Sequence, residues 1–274
     1  MKLDRDGVQL GYDEAGSGES SMLLIHGAFA DRSSYSEQFD YFAADHRVVS
    51  VDLRGHGESD KPDEHYSIAG FAEDVAWMAE QLGLESPIVV GHSLGGPVGV
   101  ELTGRLGVGS ALITLDSPSV IPGWTLLNPG KYDAAIHADN FRATLRGFLA
   151  AAYLPVDDAA RHAEGLARVD QVPAHVVRRT WDALMEWDPA PALEALEVPF
   201  LYLDHGQPDL DYELLRSYCP QLLTGQTVGA GHKALQEVPD QVNGMLERFM
   251  QYAEPLSDNA RAHSGSFRYE SNPN

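Results

Sequence analysis

Short apolar runs alternate along this chain with stretches whose apolar residues recur every three or four positions. The runs lie in "MLLIHG" (22–27), "RVVSVDLRGHG" (47–57), "PIVVG" (87–91), "SALITLD" (110–116), "VPFLYLD" (198–204) and "LLTGQTV" (222–228). Each has the length of a buried strand, and most stop at a glycine or an aspartate. "VQLGYDEAG" (8–16) reads as an edge strand and turn. "SIAGFAEDVAWMAEQLGL" (67–84) places Phe71, Val75, Met78 and Leu82 on one face of a helix, and "VPDQVNGMLERFMQYA" (238–253) closes the pattern as a last helix. Strand-length runs alternating with helical stretches predict β-α units and a mostly parallel, doubly wound sheet, an α/β fold.

From Ser117 to Glu197 the strand signals stop. Apolar residues there keep helical spacing, as in Phe141, Leu145, Phe148 and Leu149, then Val176, Val177, Trp181, Leu184 and Met185. The segment 117–197 therefore predicts a helical cap inserted into a core made of 1–116 and 198–253. Residues 254–274, "EPLSDNARAHSGSFRYESNPN", are polar and unpatterned, and are expected to be a disordered tail.

One turn carries the chemistry. "PIVVGHSLGGPVGVEL" (87–102) ends an apolar strand in Gly91-His92-Ser93-Leu94-Gly95 and continues as a small-residue helix. In parallel sheets reactive groups gather at the carboxyl ends of the strands. A serine on so sharp a strand-to-helix turn is held in a strained conformation with its hydroxyl exposed. Side chains two positions on either side would clash, which accounts for Gly91 and Gly95. The N–H of Leu94 and the positive end of the following helix suit a developing oxyanion. A serine hydroxyl needs a base, and "VGAGHKALQEVPDQV" offers His232 on a glycine loop between the last strand and the last helix.

Charge and cysteine content narrow the surroundings. The 274 residues include 41 acidic and 19 basic ones, a formal charge of −22. Such a chain repels phosphate backbones and anionic lipid, so neither nucleic acid nor membrane is an expected partner. Cys219 is the single cysteine, so no intrachain disulfide is possible and a cytoplasmic setting is expected. The opening "MKLDRDGVQL" has no apolar core of a secretory signal. No spacing of metal ligands and no phosphate or dinucleotide fingerprint stands out, so neither metal nor cofactor is expected.

With "HGAFAD" (26–31), "DLRGHGESD" (52–60), "GHSLGG" (91–96) and "GAGH" (229–232) in this order, the chain resembles the α/β-hydrolase superfamily over about residues 5–253. The resemblance implies an oxyanion hole from the N–H groups of Ala28 and Leu94, with Phe29 as the neighbouring alternative to Ala28. It also implies that Arg54 and His56 are scaffold. For the triad acid it points first to the loop after "VPFLYLD", where Gly206 and Asp209 have the usual separation. The stretch from Pro199 to Gly206 is one residue longer than the common pattern, however. Some relatives place the acid one strand earlier, at the position of Asp116. Both residues stay open, Asp116 marginally ahead.

Serine where epoxide hydrolases and haloalkane dehalogenases carry aspartate argues against those activities. The arrangement implies acyl transfer. Trp124, Tyr132, Phe141, Tyr153, Trp181, Met185 and Trp187 supply an apolar cap, and Arg142, Arg146, Arg178 and Arg179 are spaced like solvated helix faces. A neutral, moderately apolar small-molecule ester or lactone is the expected substrate. A C–C bond hydrolase, a cofactor-free perhydrolase and a slow-turnover ligand receptor are the alternatives.

Overall fold

A computed structural model describes residues 1–123, 134–206 and 210–264, with side chains described as far as Ala253. Eight strands form one sheet: β1 (Lys2–Arg5), β2 (Val8–Ala15), β3 (Ser21–Ile25), β4 (Arg47–Val51), β5 (Ile88–His92), β6 (Ala111–Leu115), β7 (Phe200–Asp204) and β8 (Leu222–Gln226). Their order across the sheet is β1-β2-β4-β3-β5-β6-β7-β8. The β1–β2 and β2–β4 pairs are antiparallel and all others parallel. β6 and β7 are buried along their whole length, as strands covered on both faces must be. The mostly parallel sheet with flanking helices is the doubly wound α/β architecture expected from the alternation.

Alternate residues of the strands feed two cores. Leu23, Val49 and Val89 face a layer built on Phe71, Val75 and Val98. Met22, Leu24, Val48 and Val90 face Phe42, Leu246 and Phe249 on the other side. α1 (Ser36–Phe42) and α2 (Ile68–Gln81) belong to these opposite layers. The Ser67 hydroxyl caps α2 by accepting from Gly70 N–H at 3.0 Å. α3 (Gly95–Val100) is fully buried and runs into a π-turn over Glu101–Arg105. A Cβ on Gly99 would stand 2.9 Å from Leu112, so the missing side chain is what lets α3 sit this close to the sheet.

Between β6 and β7 the chain forms the helices Phe141–Ala150, Ala159–Gln171, Ala174–Glu186 and Ala190–Glu194. Ile136, Phe141, Leu145, Val169, Val177 and Trp181 make a third apolar cluster, and Phe29 from the top of the sheet joins it. Val176 and Ala183 turn instead to the main core, and Trp187 Nε1–H donates to Glu101 at 2.8 Å. The arginines expected on solvated faces are engaged: Arg146 pairs with Asp170, and Arg142 donates to the carbonyls of Val169 and Val172 at 3.2 and 2.9 Å. Trp124 and Tyr132 lie outside the described residues.

Two readings change. β2 is not the edge, because β1 pairs outside it. "KLDR" is too short and too polar to register as an apolar run. The last helix extends over Pro239–Ser264, so residues 254–264 are helical where a disordered tail was expected. Extending an existing helix costs far less than nucleating one, so a segment without apolar periodicity can still continue it.

Candidate active site

Pairing in the sheet sets the ends of four strands level. Ile25 pairs with Gly91, His92 with Leu115, and Leu115 with Leu203. The residues that follow, His26, Ser93, Asp116 and the pair Asp204–His205, therefore emerge along one edge. The Ser93 N–H donates to Leu115 O at 3.0 Å and the Asp116 N–H to Leu203 O at 2.7 Å, which carries the alignment one residue past each strand.

Ser93 has φ 52°, and Asp116 has φ 45°. Both lie in the left-handed region that most side chains avoid, and such strain concentrates at functional sites. The turn at Ser93 leaves no room beside it. A Cβ on Gly91 would lie 2.1 Å from Gly95 O, and one on Gly95 would lie 2.1 Å from Ile25 O. Gly27 is held as tightly: its Cβ would meet His92 Nδ1 at 2.9 Å and Ser93 Cβ at 3.1 Å. The "HGAFAD" loop thus abuts the serine turn. The Ala30 N–H is used within that loop, donating to Gly27 O at 3.4 Å, whereas among the described residues the N–H groups of Ala28 and Leu94 find no backbone acceptor. Phe29, at φ 61°, is pinned by burial in the third apolar cluster and by stacking 6.4 Å from the His56 ring.

His232 sits on the loop after β8. Its Nδ1 is hydrogen-bonded to Asp116 Oδ2, and its N–H donates to Ala152 O at 3.0 Å, which ties the loop to the helical insertion. His92 braces it from below. Its Nε2–H donates to His232 O at 2.8 Å, with the rings 4.7 Å apart. Burial pushes the His92 imidazole well below its ordinary value, so it stays neutral. Burial opposes the charge on Asp116, but His232 and His205 outweigh it and hold the carboxyl well below the usual carboxylate range. Burial also pushes the adjacent Lys233 ammonium down to about 8. Among the described residues no hydrogen bond joins Ser93 Oγ to His232; such contacts are often loose before substrate arrives.

Of the two aspartates left open in the sequence, Asp116 meets His232, and Asp209 lies outside the described residues. A residue that sequence reasoning passed over stands beside them. His205, first after β7, puts Nδ1 3.0 Å from Asp116 Oδ1, within ion-pair reach. The signal was present in "YLDHG": a histidine directly after the strand whose loop was searched for the acid. The "DLRGHGESD" segment is scaffold. Asp52 is fully buried and accepts from the N–H groups of Arg32 and Glu58, both at 2.8 Å. Arg54 grips Asp74 through two nitrogens. The His56 imidazole is pushed down to about 3 by burial. Between this segment, the "HGAFAD" loop and the insertion lies a cleft of about 490 Å³, lined in part by Phe29, His56, Arg168 and Val172. Among the described residues no group of three or more potential metal ligands converges.

The family model described as "Alpha/beta hydrolase family" matches residues 22–245, and the chain belongs to that family. Among curated proteins it is 30% identical over 135 residues to the dihydrolipoyllysine-residue acetyltransferase component of the acetoin cleaving system of Cupriavidus necator, covering 49% of this chain and 33% of that protein. The chain thus spans about a third of the length of the curated relatives it matches. A solved Burkholderia cenocepacia structure, provisionally described as an aryl esterase, superposes with a TM-score of 0.80 at 28% identity, covering 91% of this chain and 97% of that one. An N-acyl homoserine lactone degrading enzyme superposes at 0.77 with 24% identity over 91% and 100% of the two chains, a likeness of fold.

Proposed function

We propose that this protein is a serine hydrolase that cleaves a neutral, moderately apolar carboxylic ester or lactone. The observation that carries the reading is the pairing of strained strand ends. Ser93 is presented at φ 52° after β5, beside Asp116 at φ 45° after β6, and Asp116 holds His232. A Nδ1–H donated to a carboxylate leaves Nε2 of the same ring as a lone-pair base. His232 takes the Ser93 proton as Oγ attacks the carbonyl carbon. The carbonyl oxygen becomes an oxyanion and receives the N–H groups of Ala28 and Leu94. Collapse expels the alcohol, which takes the proton from His232, and leaves an acyl-Ser93. Water, deprotonated by the same imidazole, then releases the acid.

The ester side is supported by the 28% identical relative provisionally described as an aryl esterase. Neutrality of the substrate is supported by the pairing of Arg168, at the cleft, with Asp31 at 2.6 Å, and by the donation of Arg142 to the carbonyls of Val169 and Val172. The test is a panel of p-nitrophenyl esters and lactones of graded acyl length, combined with fluorophosphonate labelling. Turnover of a member, with the label on Ser93 alone, supports the proposal. Label on another residue, or turnover that survives Ser93→Ala, overturns it. Tight binding of panel members without turnover would favour a ligand receptor instead.

A further inference from the structure

The position where the acid was first sought holds an imidazole. β6 and β7 end level, so Asp116 and His205 leave the sheet side by side. The Asp116 carboxylate is 4% exposed and has one oxygen turned to each ring: Oδ2 to His232 Nδ1, and Oδ1 to His205 Nδ1 at 3.0 Å. We propose that His205 is a positioning residue that shares the Asp116 carboxylate with His232, so that its charge sets the pH range in which His232 serves as base. The inference rests on the reading of His232 as that base.

The groups around His205 favour its protonated form. Asp116 faces it from the end of β6, Asp204 from its own strand, and Asp157 from the loop of the insertion. The contact with Asp116 raises the His205 imidazole above its ordinary value, against the opposing effect of burial. On the far side of the carboxylate stand His232 and Lys233; Asp116 opposes the depression of the Lys233 ammonium. A protonated His205 therefore takes part of the field of Asp116. A second positive charge beside the shared carboxylate works against a proton on His232. When His205 loses its proton, Asp116 acts on His232 undivided, and the imidazolium formed during attack is better stabilised. Two imidazoles on one carboxylate titrate as a pair, so the acid side of the rate profile should rise in two steps.

The experiment compares wild type with His205→Asn and His205→Gln, following kcat/KM from pH 5 to 9 on the best ester of the panel. Removing a like charge that shares the same carboxylate shifts a titration by roughly 1 unit or more. The acid limb should move to higher pH by about that much and become a single step, giving roughly tenfold lower kcat/KM on the limb and an undiminished plateau. The same samples are followed by proton NMR, reading the low-field His232 Nδ1–H resonance against pH; this readout needs no turnover. In wild type it should respond to two ionisations, in the variants to one. Profiles and resonances that superimpose on wild type in both variants, or a limb that moves to lower pH, overturn the role of His205. Ser93→Ala separates the two readings. If it stays active, the base assignment has failed, and the NMR titration still decides whether His205 is linked to His232. If it is dead while the variants match wild type, only the present inference falls.

Discussion

The ends of β6 and β7 carry the same dipeptide, Leu115-Asp116 and Leu203-Asp204, in paired register and one strand apart. Their carboxylates nevertheless behave as opposites. Asp116 sits past its strand in a left-handed turn, where two imidazoles reach it and hold it ionised. Asp204 is still inside β7. Its Oδ1 accepts the Gly206 N–H, its Oδ2 is buried with no hydrogen-bond partner among the described residues, and burial raises its carboxyl above the ordinary value. A local sequence of two residues therefore does not assign a catalytic acid. What distinguishes them is one residue of backbone geometry and which loops arrive above.

Four experiments break or sharpen this comparison. Ser93→Ala sets the floor against which both aspartates are measured. In a serine protease the loss of the nucleophile costs ~10⁶-fold in kcat, and a comparable collapse with unchanged circular dichroism is expected here. Next come the aspartates themselves. Asp116→Asn keeps the shape but favours the wrong tautomer of His232, a change that costs ~10⁴-fold in a serine protease. Asp204→Asn can still accept from Gly206 and should leave kcat near that of wild type. Equal losses in the two variants, measured on one ester, would erase the distinction drawn between the strand ends.

The same pair should tilt acid stability in opposite directions. Asp116 is depressed in the folded protein, so its stabilisation is complete above the unfolded value, near ~3.8, and is lost as pH falls toward the folded one. Asp204 is raised, so the folded state binds its proton more tightly and gains stability as pH falls through the folded value. Urea midpoints between pH 3 and 7 should fall less steeply than wild type in Asp116→Asn and more steeply in Asp204→Asn. The smallest effect is expected further along the β7 side. Asp211 caps the helix Tyr212–Tyr218 by accepting from Leu214 N–H at 2.9 Å. Asparagine caps nearly as well, so Asp211→Asn should cost less than about 1 kcal/mol in chemical denaturation and leave kcat unchanged. A large loss of activity there would show that the β7 side contributes to catalysis beyond His205.

The sheet and the serine turn were legible in the sequence because their causes are local. Apolar runs of strand length mark buried strands whatever surrounds them, and Gly91 and Gly95 are demanded by backbone atoms within a few residues or on the next strand. "GAGH" likewise marks a loop able to carry an imidazole. The choice between Asp116 and the β7 loop was not legible. It depends on the level ends of β6 and β7 and on a loop 116 residues away that brings His232 to Oδ2. The role of His205 is a tertiary matter for the same reason: nothing in "YLDHG" says which carboxylate it faces. Hydrogen bonds and burial create those differences only after distant strands align, so local sequence supplied the strained serine and the candidate groups, and tertiary structure decided which acid the histidine meets.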